Sequence, residues 1–233
     1  MLRDVLPNTV LITRPQDDGV LLAEKIQQRC RDAQVIVAPV LKIEPVHFEL
    51  PSMKIDAIVL TSKHGVEAAA ARCLDVPIFC VGDGTQRAAV QAGLNAVSAE
   101  GTWVELVALI RKSPCKKLLY IRGEHVRVDL CAQLAAAGLE TYSVVAYRQI
   151  ACRFSADVRQ EIALQQSIVL PLFSPRSAKI VSQNLDPYTG EITLISLSQA
   201  VADAWSGPMA SKVICAKVPN SGAMFDLIVS QLD

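Results

Sequence analysis

Along the chain, short uninterrupted apolar runs alternate with stretches whose apolar residues recur every three or four positions. The runs at 10–13 (VLIT), 35–38 (VIVA), 57–61 (AIVLT), 78–81 (IFCV), 118–121 (LLYI), 142–146 (YSVVA), 168–172 (IVLPL), 192–196 (ITLIS) and 213–216 (VICA) are bounded by turn-forming residues and read as strands. They are continuously apolar rather than alternating, which marks strands covered on both faces, as in parallel sheets packed between helices. Between them, Leu22, Ile26 and Cys30 fall at helical spacing, and TWVE at 102–105 is a capping-box pattern opening a helix that carries Leu106 and Ile110. Gly93, Gly138 and Gly207 stand just past helical stretches, where the backbone reversal favours glycine. Strand and helix in alternation predict an α/β protein with helices on the faces of its sheets.

A weak internal repeat sharpens this picture. AIVLTSKHGVEAAAA from Ala57 aligns with IVLPLFSPRSAKIV from Ile168: a strand, then Ser62 or Ser174, then a helix. FCVGDGTQRAAVQAG from Phe79 aligns with LISLSQAVADAWSG from Leu194: a strand, a small polar turn, and a helix ending at a glycine. Two similar lobes follow. The earlier copy runs on to about residue 142, while the later one lacks a first βα unit unless it recruits 10–38 from the N-terminal end. The expected layout is a continuous lobe over 46–143 inserted into a discontinuous lobe made of 1–38 and 151–233, with crossing strands at 39–45 and 144–150. PVLKIEP is bracketed by prolines and VVAYRQIA is rich in β-formers, so both suit extended segments. Two adjacent crossing strands would form a hinge around a ligand cleft.

Composition limits the partners. With 51% hydrophobic content, the 233 residues can bury one large core or two of about 100 residues each. The 23 basic and 23 acidic side chains cancel, leaving no global field to gather nucleic acid or an acidic membrane. An anionic ligand must then be held by local geometry. No run approaches the roughly 20 apolar residues of a bilayer span, and the opening MLRDVLPN is too polar for a signal-peptide core, so a cytoplasmic protein is expected. Seven cysteines at 30, 73, 80, 115, 131, 152 and 215 contain no CxxC and read as buried reduced thiols. His47, His64 and His125 are scattered, without HExxH spacing, and suggest no metal site. Arg111, Lys112, Lys116 and Lys117 read as a solvated face.

The turn VGDGT offers Gly82 and Gly84 to a dinucleotide fingerprint, but Arg87 stands where its third glycine belongs. No GxSxG or P-loop is present. What remains is a series of polar strand-to-helix turns: Thr13, Arg14 and Pro15; Ser62, Lys63 and His64; Gly82 to Thr85; Arg122, Gly123 and Glu124; Ser174, Pro175 and Arg176; Ser196, Ser198 and Gln199; Pro219, Asn220 and Ser221. In parallel sheets these turns lie at the carboxyl ends of the strands, where ligands bind. Helix capping alone accounts for each hydroxyl or amide taken singly. Taken together, two lobes facing each other would aim many helix N-termini at one cleft, where free N–H groups favour an anion by about 0.3–1 kcal/mol each.

Through TRP (13–15), PVL (39–41), LTSKHGV (60–66), VGDGTQRAAVQAG (81–93), YIRG (120–123), AYRQ (146–149), FSP (173–175) and KVPN (217–220), in this order, the chain resembles the uroporphyrinogen-III synthase family. The resemblance implies two flavodoxin-like α/β lobes with parallel sheets, joined by a two-stranded β-ladder hinge. It also implies a cyclising hydro-lyase of heme and porphyrin biosynthesis. Hydroxymethylbilane, a linear tetrapyrrole with eight carboxylates, would lose water, invert ring D through a spiro intermediate and close to uroporphyrinogen III. No cofactor or metal is implied. Carried over residue by residue, Tyr147 becomes the catalytic proton donor to the leaving hydroxyl, or a group that orients the substrate. Thr85, Ser62 and Ser174 become binding residues for acetate and propionate groups. The other strand-end residues, Thr13, Arg14, Lys63, His64, Gly82, Arg122, Gly123, Arg176, Ser196, Ser198, Gln199 and Asn220, complete the candidate substrate-binding set.

Two departures stand out. His64 occupies a position where the family commonly has Asn, and SLSQA at 196–200 lacks the family's Gly and Thr, with Gln199 in the Thr position. Expected partners are the small-molecule substrate and, transiently, the upstream hydroxymethylbilane synthase, with no nucleic acid or membrane and a monomeric chain. The rival readings are a two-lobed binding protein of the periplasmic type, a nicotinamide-dependent or methyl-transfer enzyme, and a non-catalytic anion-binding or regulatory protein on the same scaffold.

Overall fold

The computed structural model describes residues 9–72, 75–126 and 128–232. In chain order the elements are β1 (Thr9–Ile12), α1 (Gln16–Arg29), β2 (Gln34–Val37), β3 (Leu41–Pro45), β4 (Ala57–Leu60), a short 3-10 turn (Lys63–Gly65), α2 (Val66–Ala70), β5 (Ile78–Cys80), α3 (Asp83–Gln91), β6 (Ala96–Ser98) and α4 (Trp103–Arg111). They continue with β7 (Lys117–Gly123), α5 (Leu130–Ala136), β8 (Glu140–Ala151), α6 (Ala156–Ala163), β9 (Ser167–Leu172), α7 (Pro175–Asn184), β10 (Glu191–Ser196), α8 (Gln199–Asp203), β11 (Lys212–Cys215) and α9 (Ser221–Val229). The described residues fall into two compact units, one drawn from Met1–Lys42 with Ile150–Asp233, the other from Ile43–Gln149.

The first unit is a five-stranded sheet in the order β11-β10-β9-β1-β2, its neighbouring strands all parallel. Its central strands bury both faces, as their continuous apolarity requires. Leu11, Leu170 and Leu194 pack with Ala178 and Val181 of α7 on one side. Val10, Ile12, Val169 and Ile195 pack with Leu22 and Ile26 of α1 and Met224 and Ile228 of α9 on the other. Full burial of each such aliphatic side chain contributes about 1.5–3 kcal/mol.

The second unit carries a six-stranded sheet in the order β3-β8-β7-β4-β5-β6, in which β8 through β6 run parallel. Ile58, Leu60, Leu119 and Ile121 face one apolar cluster. Ala57, Val59, Leu118 and Tyr120 face another, closed by Leu106 and Ile110 of α4 and Leu130 and Leu134 of α5. β3 joins the edge of β8: the Val46 N–H donates to the Ala146 carbonyl and the Cys152 N–H to the Val40 carbonyl. Those two pairs run in opposite directions along the two strands, the pattern of antiparallel neighbours.

Read across the sheets, β8-β7-β4-β5-β6 matches β2-β1-β9-β10-β11 position for position. The repeat seen in the sequence is therefore a repeat of layout with the chain cut in a different place. β1 and β2 fill the places that β7 and β8 hold in the second unit. The N-terminal segment thus replaces the last two strands of the repeat, where the sequence suggested a missing first βα unit. Numbered within each unit with β3 set aside, the orders are 2-1-3-4-5, the flavodoxin type, and 3-2-1-4-5, the dinucleotide-binding order 3-2-1-4-5-6 without its sixth strand.

Local signals explain several boundaries. The expected capping box opens α4: the Val104 N–H donates to Thr102 Oγ1 at 3.2 Å, and Glu105 Oε2 accepts from the Thr102 N–H at 2.7 Å. Bonds from the Thr102 hydroxyl and N–H hold the Glu105 carboxyl below its ordinary pKa. Gly93 and Gly138 end their helices at φ +80° and +77°. Gly207 does not share that conformation; a side chain there would strike the Trp205 ring and the Ser182 backbone. β6 is an unanticipated strand of three residues, with Val97 exposed at one edge of the sheet.

The cysteines that fall among the described residues are all free thiols, but only Cys80 and Cys115 are buried. Cys215 is exposed, Cys30, Cys131 and Cys152 are partly so, and Cys73 lies outside the described residues, as does the opening MLRDVLPN. Among the described residues no helix is long and apolar enough to cross a membrane.

Candidate active site

In the second unit the turns after β4, β5 and β7, together with β8, place half of the candidate residues at the carboxyl ends of neighbouring parallel strands. Two residues past β4, Ser62 Oγ accepts the His64 N–H at 3.3 Å and opens the 3-10 turn. The His64 ring meets the Tyr147 ring edge-on, centroids 5.7 Å apart and planes at 63°. Two residues past β5, Gly82 stands at the N-cap of α3 with extended backbone and no capping side chain. Thr85 follows in the first helical turn and is 8% exposed; its hydroxyl takes no hydrogen bond from the described residues. It is therefore not a cap, unlike Ser62, and lies with Ala89 on the buried face of α3.

β7 ends at Arg122 and Gly123. Arg122 is built into the turn: its Nε donates to Ser143 Oγ at 2.8 Å, and its Nη1 donates to the carbonyls of Gly123 at 3.0 Å and Glu124 at 3.3 Å. Gly123 lies opposite Tyr147 on β8, just past an irregularity in the pairing of the two strands. Tyr147 is 8% exposed and packs in the cluster of Leu60, Ile121 and Val144. Below the turns, the hydroxyls of Tyr120 and Thr61 lie 3.1 Å apart in a hydrogen bond. Burial raises the Tyr120 phenol above its ordinary pKa, more than the bond to Thr61 lowers it. Neither Tyr120 nor Thr61 was among the candidates; the available signal was a tyrosine interrupting the apolar run LLYI.

The first unit holds the rest. Thr13, 2% exposed, directly follows β1, and its carbonyl accepts the Val40 N–H. Arg14 pairs with Asp18 at 3.1 Å and lies over the Phe173 ring, with Cζ 4.3 Å from the centroid. Ser174 caps α7, accepting the Ser177 N–H at 3.0 Å, with Pro175 in the first turn and Arg176 next in line. The buried Ser196 donates to the Ile214 carbonyl at 3.4 Å. Ser198 stands at the N-cap position of α8 without a capping bond, and Gln199 donates to Asp203 at 2.7 Å. Asn220 caps α9, accepting the Ala223 N–H at 2.8 Å. Among the described residues no group of three His, Cys, Asp or Glu side chains could hold a metal ion.

The arrangement of each unit is thus a set of hydroxyls, amides and backbone N–H groups at parallel strand ends, suited to carboxylates. The model of the family described as uroporphyrinogen-III synthase HemD matches residues 21–226. The chain belongs to the uroporphyrinogen-III synthase family. That membership makes it an enzyme, a cyclising lyase of tetrapyrrole biosynthesis, and does not favour the non-catalytic alternative. Uroporphyrinogen-III synthetase from Helicobacter pylori 26695 shares the fold, with a TM-score of 0.63 at 16% identity over 88% of this chain and 95% of that one. A mutant uroporphyrinogen III synthase from the extremely thermophilic bacterium Thermus thermophilus aligns over 96% of this chain and 98% of its own at 17% identity, with a TM-score of 0.49. No curated protein compared by sequence matches the chain.

Proposed function

We propose that the protein converts hydroxymethylbilane to uroporphyrinogen III, that Tyr147 assists departure of the hydroxyl, and that the strand-end turns of each unit bind the acetate and propionate groups. In the first step the bond between the terminal methylene carbon and its hydroxyl breaks. The oxygen leaves as water with the phenol proton, and the electron pair of the pyrrole nitrogen stabilises the resulting azafulvene cation. Attack by the substituted carbon of ring D gives the spiro intermediate; fragmentation and reclosure invert that ring, and loss of a proton restores the pyrrole. A phenol is a weak acid, so most of the acceleration falls to holding the chain folded with its reacting carbons close, an effect that reaches about 7–11 kcal/mol in well-oriented systems.

The observation that supports these roles is the meeting of Tyr147 with His64, beside Ser62 and Gly123, at the carboxyl ends of adjacent strands. In the second unit Ser62 and Thr85 lead the binding set, with Lys63, His64, Gly82 and Arg122; in the first Ser174 leads it, with Thr13, Arg14, Arg176, Ser196, Ser198, Gln199 and Asn220. A cytoplasmic monomer that receives its substrate in transient contact with the upstream synthase completes the proposal, since hydroxymethylbilane closes on its own to the type I isomer. Freshly made hydroxymethylbilane incubated with the protein, then oxidised and resolved into type I and type III porphyrins, tests it. Type III is expected; type I alone refutes the assignment.

A further inference from the structure

We propose that Gly123 and a β-bulge at Ala146 form a positioning device that sets the Tyr147 phenol, Gly123 acting through Tyr147 rather than on the substrate. This rests on the role given to Tyr147 above. The pairing of β7 with β8 is regular from Lys117 opposite Glu140 to Arg122 opposite Val145, and then jumps to Gly123 opposite Tyr147. Ala146 is the extra residue. Side chains alternate between faces along a regular strand, so Val144 and Ala146 belong together and Tyr147 should point the other way. Instead Val144, Ala146 and Tyr147 all pack in one cluster with Leu119 and Ile121. A bulge re-aims the side chains that follow it, and here it turns Tyr147 onto the face where His64 lies. Beyond the bulge, the Glu124 N–H donates to the Tyr147 carbonyl at 2.9 Å and fixes the new register.

The face the phenol turns onto is already occupied at β7 by position 123, and only the lack of a side chain there leaves room. A Cβ on Gly123 would lie 2.6 Å from Tyr147 Cε2, 2.8 Å from Cζ and 3.1 Å from the hydroxyl oxygen. Gly123 does not have a positive φ, so alanine is acceptable to its backbone. The conflict is with the outer edge of the Tyr147 ring, which can swing aside. Gly123→Ala therefore moves the phenol without adding charge or removing a hydrogen bond.

A double-mutant cycle tests this: wild type, Gly123→Ala, Tyr147→Phe and the double variant, each assayed for kcat and KM of type III formation and for melting temperature. Gly123→Ala is expected to lower kcat about 100-fold, the effect of misplacing a reacting group by about 1 Å, while changing KM less than about 3-fold. In the Tyr147→Phe background it should cost almost nothing further. Because phenylalanine keeps the ring, steric damage to folding is the same in both backgrounds, and only the hydroxyl's contribution separates them. An equal loss of kcat in both backgrounds, or a rise in KM with kcat unchanged, overturns the proposal. If Tyr147→Phe alone turns over like wild type, the role of Tyr147 falls and the positioning role falls with it. Should Gly123→Ala not fold, Ala146→Gly, which loosens the bulge without adding an atom, replaces it with an expected loss of about 3-fold in kcat, seen only with Tyr147 present.

Discussion

Thr85→Val separates binding from folding more cleanly than any other change at the strand ends. Ser62 and Ser174 each accept a helix N–H, so removing their hydroxyls damages structure whatever else they do. Thr85 differs: it follows the N-cap, is buried, and takes no hydrogen bond from the described residues. Valine keeps the β-branched shape, and its helix propensity is close to that of threonine. With no internal bond to lose, the stability change stays within about 1 kcal/mol. That corresponds to a shift of no more than about 2–4 °C in melting temperature. If the hydroxyl donates to a substrate carboxylate, a charge-assisted bond of about 1.5–3 kcal/mol is lost. KM for hydroxymethylbilane should then rise about 10- to 150-fold, at 1.4 kcal/mol for each factor of ten. Initial rates of type III formation across substrate concentration, beside a thermal melt, measure both quantities. An unchanged KM with a melting temperature lowered by more than about 5 °C would refute the reasoning and make Thr85 a structural residue.

Ser174→Ala should lower stability by about 1 kcal/mol through loss of the α7 cap; Ser174→Asp, which keeps a capping oxygen, should restore the melting temperature yet raise KM by setting a negative charge where carboxylates bind. Tyr120 has a raised pKa in the folded state, so its neutral phenol contributes stability that is present below the unfolded value near pH 10 and is lost as pH rises through the folded one. Denaturant titrations from pH 8 to 11 should show Tyr120→Phe less stable at the lower end, where the Thr61 bond is missing, and less sensitive to the climb; parallel curves would contradict the burial of that hydroxyl. Burial pushes the Cys80 thiol up to about 11, so a thiol reagent at pH 8 should modify Cys215 quickly and reach Cys80 and Cys115 only on unfolding. Mass spectrometry of digests after short exposure reads the sites, and early labelling of Cys80 would go against the packing described for β5.

Strands buried on both faces were legible because sheet burial leaves an uninterrupted apolar run, as in VLIT and AIVLT. β6 escaped because it pairs through only three residues at the sheet edge, where Val97 stays exposed and no such run is required. The internal repeat identified matching strands, yet not which of their neighbours the N-terminal segment would replace. Strand order is fixed by contacts between distant residues, and the alignment covered only β4 and β5 against β9 and β10. At the site, caps such as Ser174 and Asn220 could be read from residue type because a cap is a local interaction. The support of Arg122 could not, since Ser143 lies on another strand. Tyr147 came from the family resemblance alone. The bulge that aims it leaves no trace in AYRQ, because any of these residues can occupy a regular strand equally well.

On their proposed binding role, the arginines change how a chain with 23 basic and 23 acidic side chains can select a ligand carrying eight carboxylates. Arg14 is held by Asp18 and by the face of Phe173, so part of its charge is answered before any ligand arrives. Arg122 is anchored differently, through Nε and Nη1 to a hydroxyl and two carbonyls, none of them charged. A guanidinium has five N–H donors, so this anchoring leaves the two Nη2 donors of Arg122 unused among the described residues, on a charged group whose orientation is set. A side chain already fixed loses little entropy when it binds, which a lysine on a flexible stem cannot match. Balanced charge excludes attraction at a distance, and the affinity then depends on where a few fixed donors stand. If Arg122 binds a substrate carboxylate, as proposed above, Ser143→Ala should raise KM for hydroxymethylbilane by releasing the guanidinium that Ser143 Oγ holds at 2.8 Å, and an unchanged KM would count against that role.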